Sequence, residues 1–130
     1  MRLVLLAALV LAAAPAAAYT TRLGERVEPQ GEGQFQVLAS AGQGAAASWC
    51  AAGDYVLHRL GLPPETRIWR LSALPRRMGQ GVTFALTDSG AQASGLISFG
   101  FKEGKQTGLT ASFAENLCFG LGPIRASKTP

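Results

Sequence analysis

Cys50, Cys118, His58 and Asp54 are the residues whose types could carry reaction chemistry in this chain, which has 2 cysteines and 1 histidine. Cys50 falls near the start of a predicted helix, where the dipole lowers a thiol's pKa. A thiol nucleophile also needs a base within hydrogen-bond reach. His58 follows two turns later on the same helix, about 12 Å away at 1.5 Å per residue. The two therefore do not form a thiol–imidazole dyad, and no second histidine exists to replace His58.

An even pair of cysteines in a small exported domain reads instead as a disulfide. Cys50 and Cys118 both fall on predicted buried helical faces. A bond between them would clamp a short last helix to the main one. Closing so long a loop is expected to stabilise the fold by about 4 kcal/mol in the chain-entropy picture.

Asp54 and His58 stand at i and i+4, which predicts an ion pair that supports the helix by a few tenths of a kcal/mol. As a catalytic dyad they lack a nucleophile. The histidine, cysteine and acidic residues show no metal-ligand spacing, so no metal is expected. Gly42-Gln43-Gly44-Ala45-Ala46-Ala47 matches G-x-G-x-x-A between a strand and a helix, the context of a dinucleotide fingerprint. The next strand has no acidic residue at its end for a ribose, and the chain has no room for a second βαβ half. No cofactor is expected. A looser anion site at the helix start needs only the free N–H groups there.

Arg67, Trp69, Arg76 and Arg77 form the one local mixture of arginines and a tryptophan. On an extended strand Trp69 points opposite to Ile68, so if Ile68 faces the core, Arg67, Trp69 and Leu71 share the outer face. Tryptophan beside arginine is the composition of a binding surface. The competing expectation is a buried Trp69 with the arginines as a solvated rim.

These residues are positioned by a few elements. Residues 45–61 give the best helix signal. Alanine dominates the first turns. Ala46, Trp49, Cys50, Gly53, Val56, Leu57 and Leu60 recur at three and four, which predicts one buried face. Ser48, Asp54, Tyr55, His58 and Arg59 lie mostly elsewhere. Gly53 on the buried face suits the close approach of another backbone. Gly61 marks the end, followed by Pro63 and Pro64. For the start, Ser40 with Gln43 reads as a capping box, and a start near Gly44 reads equally well.

Strands are predicted over residues 34–39, 66–71, 82–86 and 95–101, with a short edge strand over 109–111. Ser112 with Glu115 predicts the cap of a short helix whose buried side carries Phe113, Ala114, Leu117 and Cys118. Residues 19–33 are polar, with glycine and proline, and read as a flexible N-terminal arm; residues 121–130 read as a frayed tail.

Residues 1–18 read as a cleavable signal peptide. Arg2 is the positive start, residues 3–14 are almost wholly apolar, and Ala16-Ala17-Ala18 is a small-residue cleavage site before Tyr19. The apolar run is short for a span of about 20 residues, so no membrane span is expected after cleavage. Cleavage leaves 112 residues (130 less 18), enough for one core. Lys+Arg number 12 against 8 Asp+Glu, a net charge of +4. The positive residues are scattered, without a basic run interleaved with aromatics, which argues against nucleic acid.

The expected fold is α+β. One main helix packs on a mostly antiparallel sheet of four or five strands, with a short C-terminal helix tied by a disulfide, the domain running over residues 34–120. The expected function is a non-enzymatic interaction domain in a bacterial periplasm or outside the cell, with an envelope protein or an anionic envelope component as partner. The alternative is a small cell-envelope hydrolase using an acid or Cys50 as nucleophile.

Overall fold

Alternation of apolar and polar side chains builds the sheet. The computed structural model describes residues 18–39, 44–73, 77, 79–96 and 108–120. The strands are β1 (Tyr19–Thr20), β2 (Arg26–Gly31), β3 (Gln34–Val37), β4 (Arg67–Arg70), β5 (Val82–Ala85) and β6 (Leu109–Thr110). They form one sheet in the order β1-β2-β3-β5-β4-β6, with every neighbour antiparallel. Val27, Val37 and Val82 lie in one cross-strand row, and Phe35 and Phe84 face each other in the next. All five are buried, which fixes the register, because a one-residue slip would turn each of them to the other face.

Helix α1 (Ala45–Asp54) continues through one π turn, Tyr55–Arg59. It lies between this apolar sheet face and the last helix, α2 (Ala111–Asn116). Trp49 meets Phe84 with ring centroids 4.8 Å apart, and Tyr55 meets Phe35 at 4.7 Å. The Trp49 indole N–H, which burial would otherwise orphan, donates to the Ser94 carbonyl at 2.8 Å. Covered on two sides, α1 is buried continuously from Ala47 to Val56. Ser48, Asp54 and Tyr55, expected off the buried face, are therefore buried with the rest. A helix that must be apolar almost all round carries no clear one-sided pattern.

The α1–α2 contact rests on the absence of a side chain at Gly53. A Cβ there would lie 2.5 Å from the Glu115 backbone nitrogen and 2.8 Å from the Ala111 carbonyl oxygen. Ala111 and Ala114 are the α2 residues that face this contact, and both are fully buried. On the same face Cys50 and Cys118 are bonded, with their Cα atoms 4.9 Å apart. A short 3-10 turn, Leu117–Gly120, carries Cys118 to that point.

The α+β architecture is as expected, with six strands among the described residues where four or five were expected. Residues 19–33, expected as a flexible arm outside a domain of residues 34–120, instead carry β1 and β2 of the sheet. The hairpin joining β2 to β3 turns at Gly31-Glu32-Gly33, all three with positive φ (80°, 51° and 72°). Glycine adopts that backbone freely, so the polar composition of this stretch encodes a turn. Thr110, not Ser112, caps α2: its side chain accepts from the Phe113 N–H at 3.2 Å. Of the strand expected over 95–101, Gly95 and Leu96 are not extended into a strand. Its remainder, the Ser40–Gln43 cap, the leader up to residue 17 and the tail 121–130 lie outside the described residues.

Gly53→Ala separates helix propensity from packing. In an isolated helix alanine is better than glycine by about 1 kcal/mol. Here the new methyl group meets backbone, which cannot rotate away, so a loss of about 2 kcal/mol or more is expected. Urea unfolding of the oxidised protein measures it; a stabilised variant would show that α2 can move away.

Candidate functional site

Asp54 is the one acidic residue of α1, and it is 1% exposed. A buried carboxylate persists only with hydrogen-bond partners. Both of its oxygens are taken by β1 and the turn that follows it. The Tyr19 hydroxyl donates to Oδ1 at 2.9 Å, and the Arg22 backbone N–H donates to Oδ2 at 2.9 Å. The Arg22 side chain reaches over to α2, where Nη2 donates to Glu115 Oε1 at 2.7 Å. His58 Nε2 lies 3.0 Å from that same oxygen.

The expected pairing of Asp54 with His58 is thus replaced. Asp54 turns toward the chain's first strand, and His58 pairs with Glu115 of α2. The reason is burial: Asp54 points into the protein, whereas the His58 side chain is about half exposed at the domain's rim. Tyr19, Arg22 and Glu115 had no part in the expected site. The signal that points to them is the lone acid in an otherwise apolar helix stretch, which demands distant donors.

The surroundings shift three ionisable groups. Burial, with the hydrogen bond to Asp54 and its negative charge, pushes the Tyr19 hydroxyl up to about 12. Burial also raises Tyr55, against the opposing charge of Arg59. Glu25 is raised by burial, opposed by its hydrogen bond from Thr21. The shift of Tyr19 keeps its hydroxyl protonated as the donor to Asp54.

Cys50 is buried and bonded to Cys118, and no free cysteine remains. No free thiol therefore stands at the helix start. Among the described residues no three His, Cys, Asp or Glu side chains gather to hold a metal. Of the glycine-rich match, Gly42 and Gln43 lie outside the described residues. Gly44 is the N-cap of α1, with extended backbone and no side-chain cap.

The arginine and tryptophan residues lie elsewhere. Ile68 and Arg70 face inward on β4 and are buried; Arg67 and Trp69 face outward. Trp69 is half-buried, next to Ala85 and then Gln34 in the cross-strand row. Its indole lies over Gly108, where an added Cβ would come within 2.7 Å of the ring nitrogen. Arg67 Nη1 donates to the Gly108 carbonyl at 2.8 Å, so both side chains lean on one glycine of the edge segment. Arg77 is exposed in a turn closed by the Gln80 N–H to the Arg77 carbonyl at 3.1 Å. Arg76 lies outside the described residues.

Comparison with protein families, with curated proteins and with solved structures finds no match to this chain. No helix of the described residues is long and apolar enough to cross a membrane.

The network makes two predictions. Asp54→Ala leaves a part-buried hydroxyl and a backbone N–H unpaired, so a loss of about 2–4 kcal/mol is expected. His58→Ala removes an exposed partner and costs less than about 1 kcal/mol. Urea unfolding of the two variants tests the contrast, and equal losses would contradict it. The second prediction concerns alkali. Tyr19 holds its proton more tightly in the folded state than the ordinary value of 10.0. Its contribution to stability is fully present below pH 10 and is lost as pH rises toward about 12. Tyrosinate absorbance should show both tyrosines titrating late, with the step near 12 lost in Tyr19→Phe while that of Tyr55 remains.

Proposed function

We propose that this chain is an exported interaction domain without catalytic activity, acting in the periplasm or outside the cell. The observation that carries the reading is that its chemically capable residues are committed to structure. Both cysteines are joined to each other, Asp54 holds the N-terminal strand, and His58 and Arg22 share Glu115. A disulfide suits an oxidising compartment, in keeping with the apolar leader read from residues 1–18.

The binding surface under this reading is the outward side of β4, with Arg67 and Trp69, together with Arg76 and Arg77 after it in sequence. Arg67 and Trp69 face away from the core on a rigid strand, and Arg77 is exposed beyond it. Arginine and tryptophan there offer charge and a flat apolar surface together. The partner class that complements them is an anionic envelope component or an envelope protein with an acidic face.

Arg76→Ala with Arg77→Ala tests the surface. Surface substitutions usually change stability by less than about 0.5 kcal/mol, so under this reading the thermal midpoint should hold. Binding of the mature domain to an isolated envelope fraction should weaken roughly fivefold at low salt, about 1 kcal/mol for the loss of two positive charges. The salt dependence should flatten. Binding equal to wild type at both low and high salt would place the site elsewhere.

A further inference from the structure

The bond expected to be cut on export, between Ala18 and Tyr19, adjoins the folded domain with no spacer. Tyr19 is the first residue of β1 and pairs with Val27, which is fully buried. Its hydroxyl is bonded to the buried Asp54, and its ring centroid lies 5.8 Å from that of Tyr55. Thr20 pairs with Arg26. Thr21 is buried and its N–H donates to the Glu25 carbonyl at 2.8 Å. The Arg22 N–H is bonded to Asp54. Four consecutive residues after the bond are thus held in place.

A protease takes its target as an extended run through its own cleft, on both sides of the bond. The backbone of Tyr19 and Thr20 cannot lie in such a cleft while it is paired to β2. Cleavage of a folded precursor therefore has to pass through an opened state, and its rate falls with the population of that state. Resting on the reading of residues 1–18 as a leader, we propose that the leader is removed before β1 docks. Docking onto Asp54 is then the closing step of folding. In the cleavage step water adds across the amide: Ala18 gains the carboxylate and Tyr19 leaves as the new amine. Docking of Tyr19 then withdraws the new N-terminus from the peptidase.

The order is tested on the full-length precursor in mild detergent with a purified signal peptidase, product being scored by mass spectrometry. Two states are compared: oxidised and folded, and reduced and unfolded. The unfolded chain should yield a product beginning at Tyr19, and the folded chain should be cut at least about tenfold more slowly, as local opening requires. A precursor with four Gly/Ser residues inserted between Ala17 and Ala18's cleavage bond and Tyr19, that is, directly after Ala18, should be cut at similar rates in both states. Asp54→Asn should narrow the folded-to-unfolded difference without altering the unfolded rate. If the unfolded chain is not cut after Ala18, the leader reading itself fails. If it is cut, and the folded precursor is cut equally fast or the spacer does not relieve the block, docking does not gate cleavage and the proposal is overturned.

Discussion

The close approach of α1 and α2 at Gly53 is the constraint on which the rest of this structure depends. No side chain separates the two backbones there, and the nearest α2 atom is the Glu115 nitrogen. Two consequences follow from neighbours in sequence. Cys50 lies one turn before Gly53, and Cys118 one turn beyond Ala114, so the backbone contact brings the two sulfurs within bonding distance. Asp54 directly follows Gly53, and Glu115 directly follows Ala114, so the same contact also sets the two carboxylates of the polar network. A single small residue thus positions a covalent tie and an electrostatic one.

The network in turn explains why residues 19–22 are held against the domain. A carboxylate in the middle of a buried helix is costly unless donors reach it. The α1 backbone cannot supply them, because its own N–H groups are engaged in the helix. Tyr19 and Arg22 come from more than thirty residues away. They trade solvation for a fixed acceptor, and β1 and the turn after it become part of the sheet. Polar composition usually marks loose termini; here it is satisfied internally, which turns the same composition into structure.

What was legible in the sequence follows the range of the forces involved. The α1 helix, the β3, β4 and β5 strands, the alternation along β4, and the role of Gly53 all rest on periodicity within ten or so residues. The disulfide was legible because count and compartment left one pairing. β1 and β2 were not, because Val27 is their one fully buried apolar residue and Pro29 interrupts the strand pattern. Only Gly31-Glu32-Gly33 marked the hairpin. The partners of Asp54 and His58 were hidden for a different reason. Spacing of four suggested each for the other, but burial sends Asp54 inward and leaves His58 at the rim, beside a residue 57 positions away. Local spacing lists neighbours on one helix; it does not say which side of that helix another segment will cover.

The same distinction bears on Arg67 and Trp69. Their pattern said only that they share one side of β4, which in the structure is the outward side. It did not say that both would be braced by Gly108, one through its carbonyl and the other through the space a Cβ would fill. Long arginine and tryptophan side chains on an open surface normally lose rotamer freedom when a partner binds. Here part of that freedom is already gone in the free protein. The brace is a backbone carbonyl and a missing side chain, and neither can rotate away. This face therefore presents a guanidinium with one donor already engaged and an indole held against Gly108.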